Sequence, residues 1–227
     1  MLQSFGPSLY LVEGPEISFY GIPLKIRMVV ARLDDGGVWC WSPIELNDDL
    51  AREVEEIGPV RHLVSPNKIH HLFIGEWADR WPEARIHLPP GLAKKRPDLR
   101  IDSELGDDPE PAWARDIDQV VIRGSVLMEE VVFFHLRSKT LILGDLIERN
   151  PEEQFSGWKS TAMRLGGVVG DHGTTPLDWR LSFLRHGEAR EARDKILGWN
   201  PERLVIAHGT CVESGAAEIV AEALAWI

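Results

Sequence analysis

Apolar and polar positions partly alternate through residues 8–13 and 24–33, with strand-forming residues such as Tyr10, Ile26, Val29 and Val30. A period of two with that composition predicts strands. Asp34-Asp35-Gly36-Gly37 then predicts a hairpin turn, and residues 37–41 the return strand, ended by Ser42-Pro43. Beyond it the period changes. Leu50, Val54 and Ile57 recur at helical spacing, Asn47 precedes them as a cap, and Gly58-Pro59 closes the helix. Residues 60–64 form a short strand. Ser65-Pro66 has the form of an N-cap followed by proline at the first helical position. Phe73, Trp77 and Trp81 recur every four residues, so a helix is predicted from there to Pro82.

The second half is more broken. Residues 84–88 predict a short strand, and Pro89-Pro90-Gly91 and residues 107–110 predict loops. Strands follow at 120–124, 128–135 and 140–145. A mixed stretch rich in glycine, proline and tryptophan covers 150–185. Residues 189–197 predict a helix, 204–207 a short buried strand, and 216–226 a closing helix. No internal repeat or linker divides the chain, so one domain over residues 1–227 is expected.

Composition narrows the function classes. The 44% hydrophobic content is that of an ordinary globular chain. A net charge of −11, with no basic run, argues against nucleic-acid partners. Cys40 and Cys211 lack a C-x-x-C arrangement and are too few for a disulfide framework, so a reducing, cytoplasmic setting is expected. No signal-peptide pattern or apolar membrane-length run is visible.

Candidate chemistry sits at three strand ends. The strand at 60–64 is followed by a turn and His70-His71. The strand at 140–145 ends in Asp145, and the strand at 204–207 ends in His208-Gly209. Ligands gather beyond the carboxyl ends of strands in α/β proteins. Three imidazoles and one carboxylate would suit a borderline divalent metal such as zinc. On a strand, His70 and His71 would face opposite ways, but in the first turn of a helix they lie only about 100° apart and both reach one ion. His135 is read as a hydrogen-bonded core residue. His172, in a glycine-rich loop, is a candidate substrate contact. Arg180 and Arg185 are read mainly as solvated. His62, His87 and His186 receive no role.

At these residues the order and spacing resemble the metallo-β-lactamase superfamily across nearly the whole chain. Ser65-Pro66-Asn67, His70-His71, residues 130–135, Ser138-Lys139-Thr140, Asp145 and Ala207-His208-Gly209 are most similar to a bacterial branch of it, the DUF4336 proteins. The resemblance implies a four-layer αββα sandwich. It also locates the departures. The superfamily's His-x-His-x-Asp-His motif falls on residues 66–71, where Pro66, Lys68 and His70 replace two histidines and the aspartate, and only His71 is kept. A further histidine falls on Ser125. The bridging aspartate and last histidine match Asp145 and His208. The resemblance therefore implies one metal, held by His70, His71, Asp145 and His208, with Lys68 standing where the other cation would lie.

The resulting expectation is a metal-dependent hydrolase acting on a small ester, lactone, thioester or amide. Zinc is the expected metal, with iron or manganese as alternatives. Asp145 would both bind the metal and accept a proton, and Lys68 would balance negative charge. The competing expectation is a non-catalytic descendant that binds metal weakly or not at all. An iron-dependent oxidoreductase on the same scaffold is a further option.

Overall fold

The structure is a computed structural model that describes all residues except 20–21, 152–160, 162–163, 165 and 171. Its first sheet runs in the order β1 (Gln3–Gly6), β2 (Leu9–Phe19), β3 (Ile22–Arg32), β4 (Val38–Trp41), β5 (Val60–Val64), β6 (Arg85–Leu88) and β7 (Ser103–Glu104). Pairing is antiparallel as far as β4 and parallel from β4 to β7. The second sheet has the order β11 (Arg203–Ile206), β10 (Thr140–Leu143), β9 (Glu130–His135) and β8 (Ile117–Ile122), with β10 and β11 parallel. The strand expected at 120–124 thus begins earlier, at Ile117, in a stretch with little alternation, and ends at Ile122.

The period-two alternation places the layers. Along β4, Trp39 and Trp41 face the second sheet, while Val38 and Cys40 face the other way. Along β10, Ile142 points inward and Leu141 and Leu143 outward. The inner core also contains Val29, Val64, Trp113, Val131, Phe133 and Val205. The outer face of the first sheet is covered by α1 (Asp48–Ile57) and α2 (Ile74–Arg80), through Leu50, Val54, Ile74 and Trp77. The outer face of the second is covered by α3 (Leu177–Leu181), α4 (His186–Gly198) and α5 (Ala216–Ala223), through Trp179, Ala189, Ile196 and Val220. Each sheet buries both faces, which gives four layers in the order αββα.

Asn47 caps α1 as expected, its Oδ1 accepting from the Leu50 N–H at 2.9 Å. The helix expected from Ser65-Pro66 is shorter than its pattern suggests. Only Ile74–Arg80 is helical, and residues 65–73 form turns. Three local hydrogen bonds and one across the sandwich account for this. The Ser65 hydroxyl donates to the Asn67 carbonyl, the Asn67 side-chain oxygen accepts from the Ile69 and His70 N–H groups, and the Pro66 carbonyl accepts from Val131 N–H across the sandwich. Side-chain bonding to nearby amides favours turns over helix. Part of the expected insertion at 150–185 lies outside the described residues. Among the described residues, no helix is long and apolar enough to cross a membrane.

Trp39 is a test of the inner core. It is fully buried, lies edge-on to Phe133 at 5.2 Å and to Trp113 at 6.3 Å, and its indole N–H has no partner among the described residues. Trp39→Ala is expected to cost about 3–5 kcal/mol by leaving a cavity, whereas Trp39→Phe costs about 1.5 kcal/mol or less because no hydrogen bond is lost. Urea unfolding of the two variants checks the contrast.

Candidate metal centre

Three elements converge at one end of the sandwich. The turn after β5 supplies His70, the second residue past β10 is Asp145, and the second residue past β11 is His208. Each offers one ligand atom within 4.8 Å of the others. His70 Nε2 lies 3.2 Å from Asp145 Oδ2, and His208 Nε2 lies 3.3 Å from Asp145 Oδ1. All three side chains are buried, with relative exposures of 9%, 7% and 5% in chain order.

Each imidazole is oriented from behind. His208 Nδ1 lies 2.8 Å from the Lys25 carbonyl, which only accepts, so Nδ1 carries a proton and Nε2 faces the centre. His70 Nδ1 lies 2.8 Å from Ser42 Oγ, and its ring stacks on Trp41 at 5.9 Å. Arg27 fixes the loop that carries His208. Its guanidinium reaches from β3 to the carbonyls of Ile206 and Gly209 while its Nε meets Glu13 at 2.6 Å. Gly209 has φ +97° and packs on the Arg149 carbonyl so closely that a Cβ would lie 2.2 Å from its oxygen. Only glycine permits that approach.

Asp145 is held by Asn67. The amide of Asn67 donates to Asp145 Oδ2 at 2.7 Å and to Glu130 Oε2 at 2.8 Å. Glu130, wholly buried, accepts from the Gly144 and Asp145 N–H groups at 2.9 and 2.8 Å. Asn67 therefore uses its oxygen to shape the His70 turn and its nitrogen to aim Asp145. Sequence reasoning gave neither Asn67 nor Glu130 a role, although both lie in the segments that carry the family resemblance.

The electrostatics follow from burial and pairing. Burial alone would raise the Asp145 carboxyl, but the charge of His70 and the hydrogen bond and charge of His208 outweigh it and hold the group well below the usual carboxylate range. Burial pushes His208 down, yet the Asp145 hydrogen bond and charge raise it to about 9. Burial, and then the nearby Asp145, raise Glu130 to about 7. Burial likewise raises Glu148 to about 7, while the Asn150 amide holds one of its oxygens at 2.9 Å.

His71, the fourth expected ligand, is not brought into the cluster. Because residues 65–73 turn instead of forming a helix, the two adjacent imidazoles diverge. His71 Nδ1 lies 3.0 Å from Arg96 Nη1, which also donates to the His71 carbonyl at 2.8 Å. Arginine only donates, so this nitrogen's lone pair is taken and the neutral ring carries its proton on Nε2. Burial, followed by the charges of Arg96 and Lys95, lowers its pKa and keeps it neutral.

The centre opens into a cavity of about 420 Å³, lined by His70, Asp145, His208, Glu148, Ser42, His71, Lys68 and Lys95 together with several apolar side chains. Lys68 is thus placed on the wall. His172 is exposed and is not among the lining residues; the backbone pairing of Thr174 with Glu148 holds the base of its loop. Arg180 lies over the Trp226 ring at 5.8 Å, and Arg185 pairs with Glu188 at 3.5 Å. His135 bonds Ser138 Oγ at 2.7 Å, and His62 bonds His87 at 3.0 Å, both away from the cluster.

A divalent metal fits these residues. Among the described residues, His70 Nε2 is buried without an aligned hydrogen-bond partner, despite its closeness to Asp145. A buried nitrogen facing a carboxylate and a second imidazole is a donor set of two nitrogens and one oxygen, used by catalytic zinc and by non-haem iron.

Residues 14–161 match the family described as a domain of unknown function, DUF4336. No curated protein matches the chain by sequence. The fold is that of the metallo-β-lactamases. An enzyme from Pontibacter korlensis superposes with a TM-score of 0.64 at 13% identity, covering 99% of this chain and 98% of its own. One from Hirschia baltica gives 0.65 at 12%, covering 100% and 96%. A Pseudomonas aeruginosa enzyme, crystallised in a mono-zinc form, gives 0.63 at 12%, covering 100% and 96%. At these identities the likeness concerns the fold.

The His208–Asp145 pair sets a pH dependence for the metal-free protein. His208 titrates near 9 when folded, above its ordinary 6.5. The pairing therefore contributes stability in full below the ordinary value, and that stability is lost as pH rises towards the folded one. Thermal melts of metal-free protein between about pH 7.5 and 9 should fall by about 5 °C, and His208→Gln should remove that fall. An unchanged slope in the variant would contradict the pairing.

Proposed function

The chain belongs to the DUF4336 family, and on that premise we propose that it is a mononuclear metal-dependent hydrolase of a small acyl compound. The orphaned Nε2 of His70, aimed at Asp145 beside His208 Nε2, is the observation that carries the reading. His70, Asp145 and His208 would hold zinc, or iron or manganese in its place. A set of three protein ligands leaves a coordination position open, which a set of four that included His71 would have closed on a tetrahedral ion. When bound, the metal supplies Lewis acidity towards a carbonyl oxygen and lowers the pKa of water.

The chain's own residues supply the rest. Asn67, Ser42 and the Lys25 carbonyl fix the three ligands, so little reorganisation is needed. Asp145 is a poor proton acceptor because its carboxyl is held far below neutrality. Glu148 suits that role better. It lines the cavity beside His208, and burial brings its carboxyl to about 7, near the pH at which a general base is most effective. The apolar wall limits competing water, and Lys68 adds positive charge to it. Glu130, behind Asp145, is sealed from the cavity and holds the Asp145 loop.

Metal analysis of untagged protein is the direct test. About one zinc, iron or manganese per chain should be retained or loaded, lost in His70→Ala and in His208→Ala, and kept in His71→Ala. Ester or lactone hydrolysis should be abolished by chelation. Glu148→Gln should lower kcat about a hundredfold with metal content intact. A parent protein that takes up none of the three metals would sink the hydrolase reading and leave a metal-free binding protein.

A further inference from the structure

The cavity holds more information than its metal cluster. One side is built from Ile17, Leu24 and Ile26 of the β2–β3 pair, the other from Ile69, Leu72 and Phe73 of the turn that carries His70. Leu72 is 57% exposed, an apolar side chain at the rim with nothing packed over it. A volume of about 420 Å³ is in the range of small-ligand pockets. An apolar body several carbons long would cover this surface.

Lys68 and Lys95 also line this cavity, and Lys68 stands at its border with an adjoining cleft that Pro90 and Gly91 line. The end of Lys68 lies against Gly91, whose added Cβ would sit 3.3 Å from both Cε and Nζ. Lys95 Nζ donates to the Lys68 carbonyl at 3.3 Å, so the second cation sits at the base of the first. Among the described residues, neither lysine forms an ion pair with a carboxylate. In a chain of net charge −11, two lysines without a carboxylate partner thus line one cavity. The remaining titratable groups lining the cavity are His70, His71, Asp145, Glu148 and His208. Asp145 is already in contact with two imidazoles, which leaves the lysines for a ligand.

Resting on the hydrolase reading above, we infer that the substrate is an amphipathic anion: an ester or lactone with an apolar chain and a separate carboxylate, phosphate or sulfonate group. The apolar chain lies between Ile26 and Leu72, and Lys68 and Lys95 take the anionic group. Hydrolysis then breaks the acyl C–O bond, with water giving its OH to the acyl carbon and a proton to the leaving oxygen. His71, neutral and with its Nε2–H free of the Arg96 contact, adds a donor on the lysine side.

The test uses binding, so that it does not depend on turnover. Octanesulfonate, octanol and ethanesulfonate are titrated calorimetrically into the full chain, metal-free and zinc-loaded. Sulfonates coordinate metals poorly, so metal ligation does not mimic the effect. Octanesulfonate should bind at one site, about tenfold tighter than either other probe. In the double variant Lys68→Gln, Lys95→Gln its affinity should fall about tenfold while that of octanol stays unchanged, with an unaltered near-ultraviolet circular dichroism spectrum showing that the fold is intact. Octanol binding as tightly as octanesulfonate, or a preference that survives in the double variant, would overturn the inference. Octanesulfonate binding as expected to a protein that cannot be loaded with metal would uphold the ligand class and defeat the hydrolase reading. Hydrolysis of neutral and anionic esters at equal kcat/KM, with no charge preference in binding, would do the reverse.

Discussion

A carboxylate buried at the end of a sandwich is the constraint on which this structure depends. Asp145 lies just past β10 with almost no exposure to water. An isolated buried charge is strongly unfavourable, so it persists only when paired and hydrogen-bonded. Two imidazoles from two other strand ends and the amide of Asn67 satisfy it. Those partners need fixing in turn. Ser42, the Lys25 carbonyl and Arg27 fix the imidazoles, and Glu130 fixes both Asn67 and the Asp145 loop. Loops from both sheets are thereby tied to one group, and a cluster of donors able to hold a metal is a consequence of that arrangement.

The layered fold supplies the convergence. Parallel pairing of β10 with β11 puts Asp145 and His208 at neighbouring strand ends. The inner core of Trp39, Trp113 and Phe133 holds the two sheets in register, so the turn after β5 meets the second sheet at that same end. The Pro66 carbonyl bonding Val131 N–H is the local link between them.

Much of this was legible from residue order. The αββα layers were legible from the order of the elements and from the family resemblance, and the structure realises them because both faces of each sheet are apolar. Asp145 and His208 were legible because each directly follows a short, wholly apolar run. His71 was misplaced for a physical reason. Its backbone position depends on whether residues 65–73 coil into a helix, and the Asn67 side chain decides that against the helical spacing of Phe73, Trp77 and Trp81. Its lone pair then goes to Arg96, a residue with no sequence mark of that contact. Asn67 and Glu130 escaped notice for the same kind of reason: their roles exist only once three separate loops meet. His172 carried a flexible-loop signature but no information on direction, and it faces solvent.

The departures from the two-metal pattern acquire a structural sense in this setting. Lys68 occupies the cavity wall, and the surviving donors gather around Asp145 as two imidazoles and one carboxylate. The central claim is that these three, without His71, form the metal site. Zinc K-edge absorption spectroscopy of the zinc-loaded protein tests it most directly. The account predicts a first shell of nitrogen and oxygen at about 2.0–2.1 Å with the scattering of two imidazoles, unchanged in His71→Ala. A shell with three imidazoles that becomes two in that variant would contradict it.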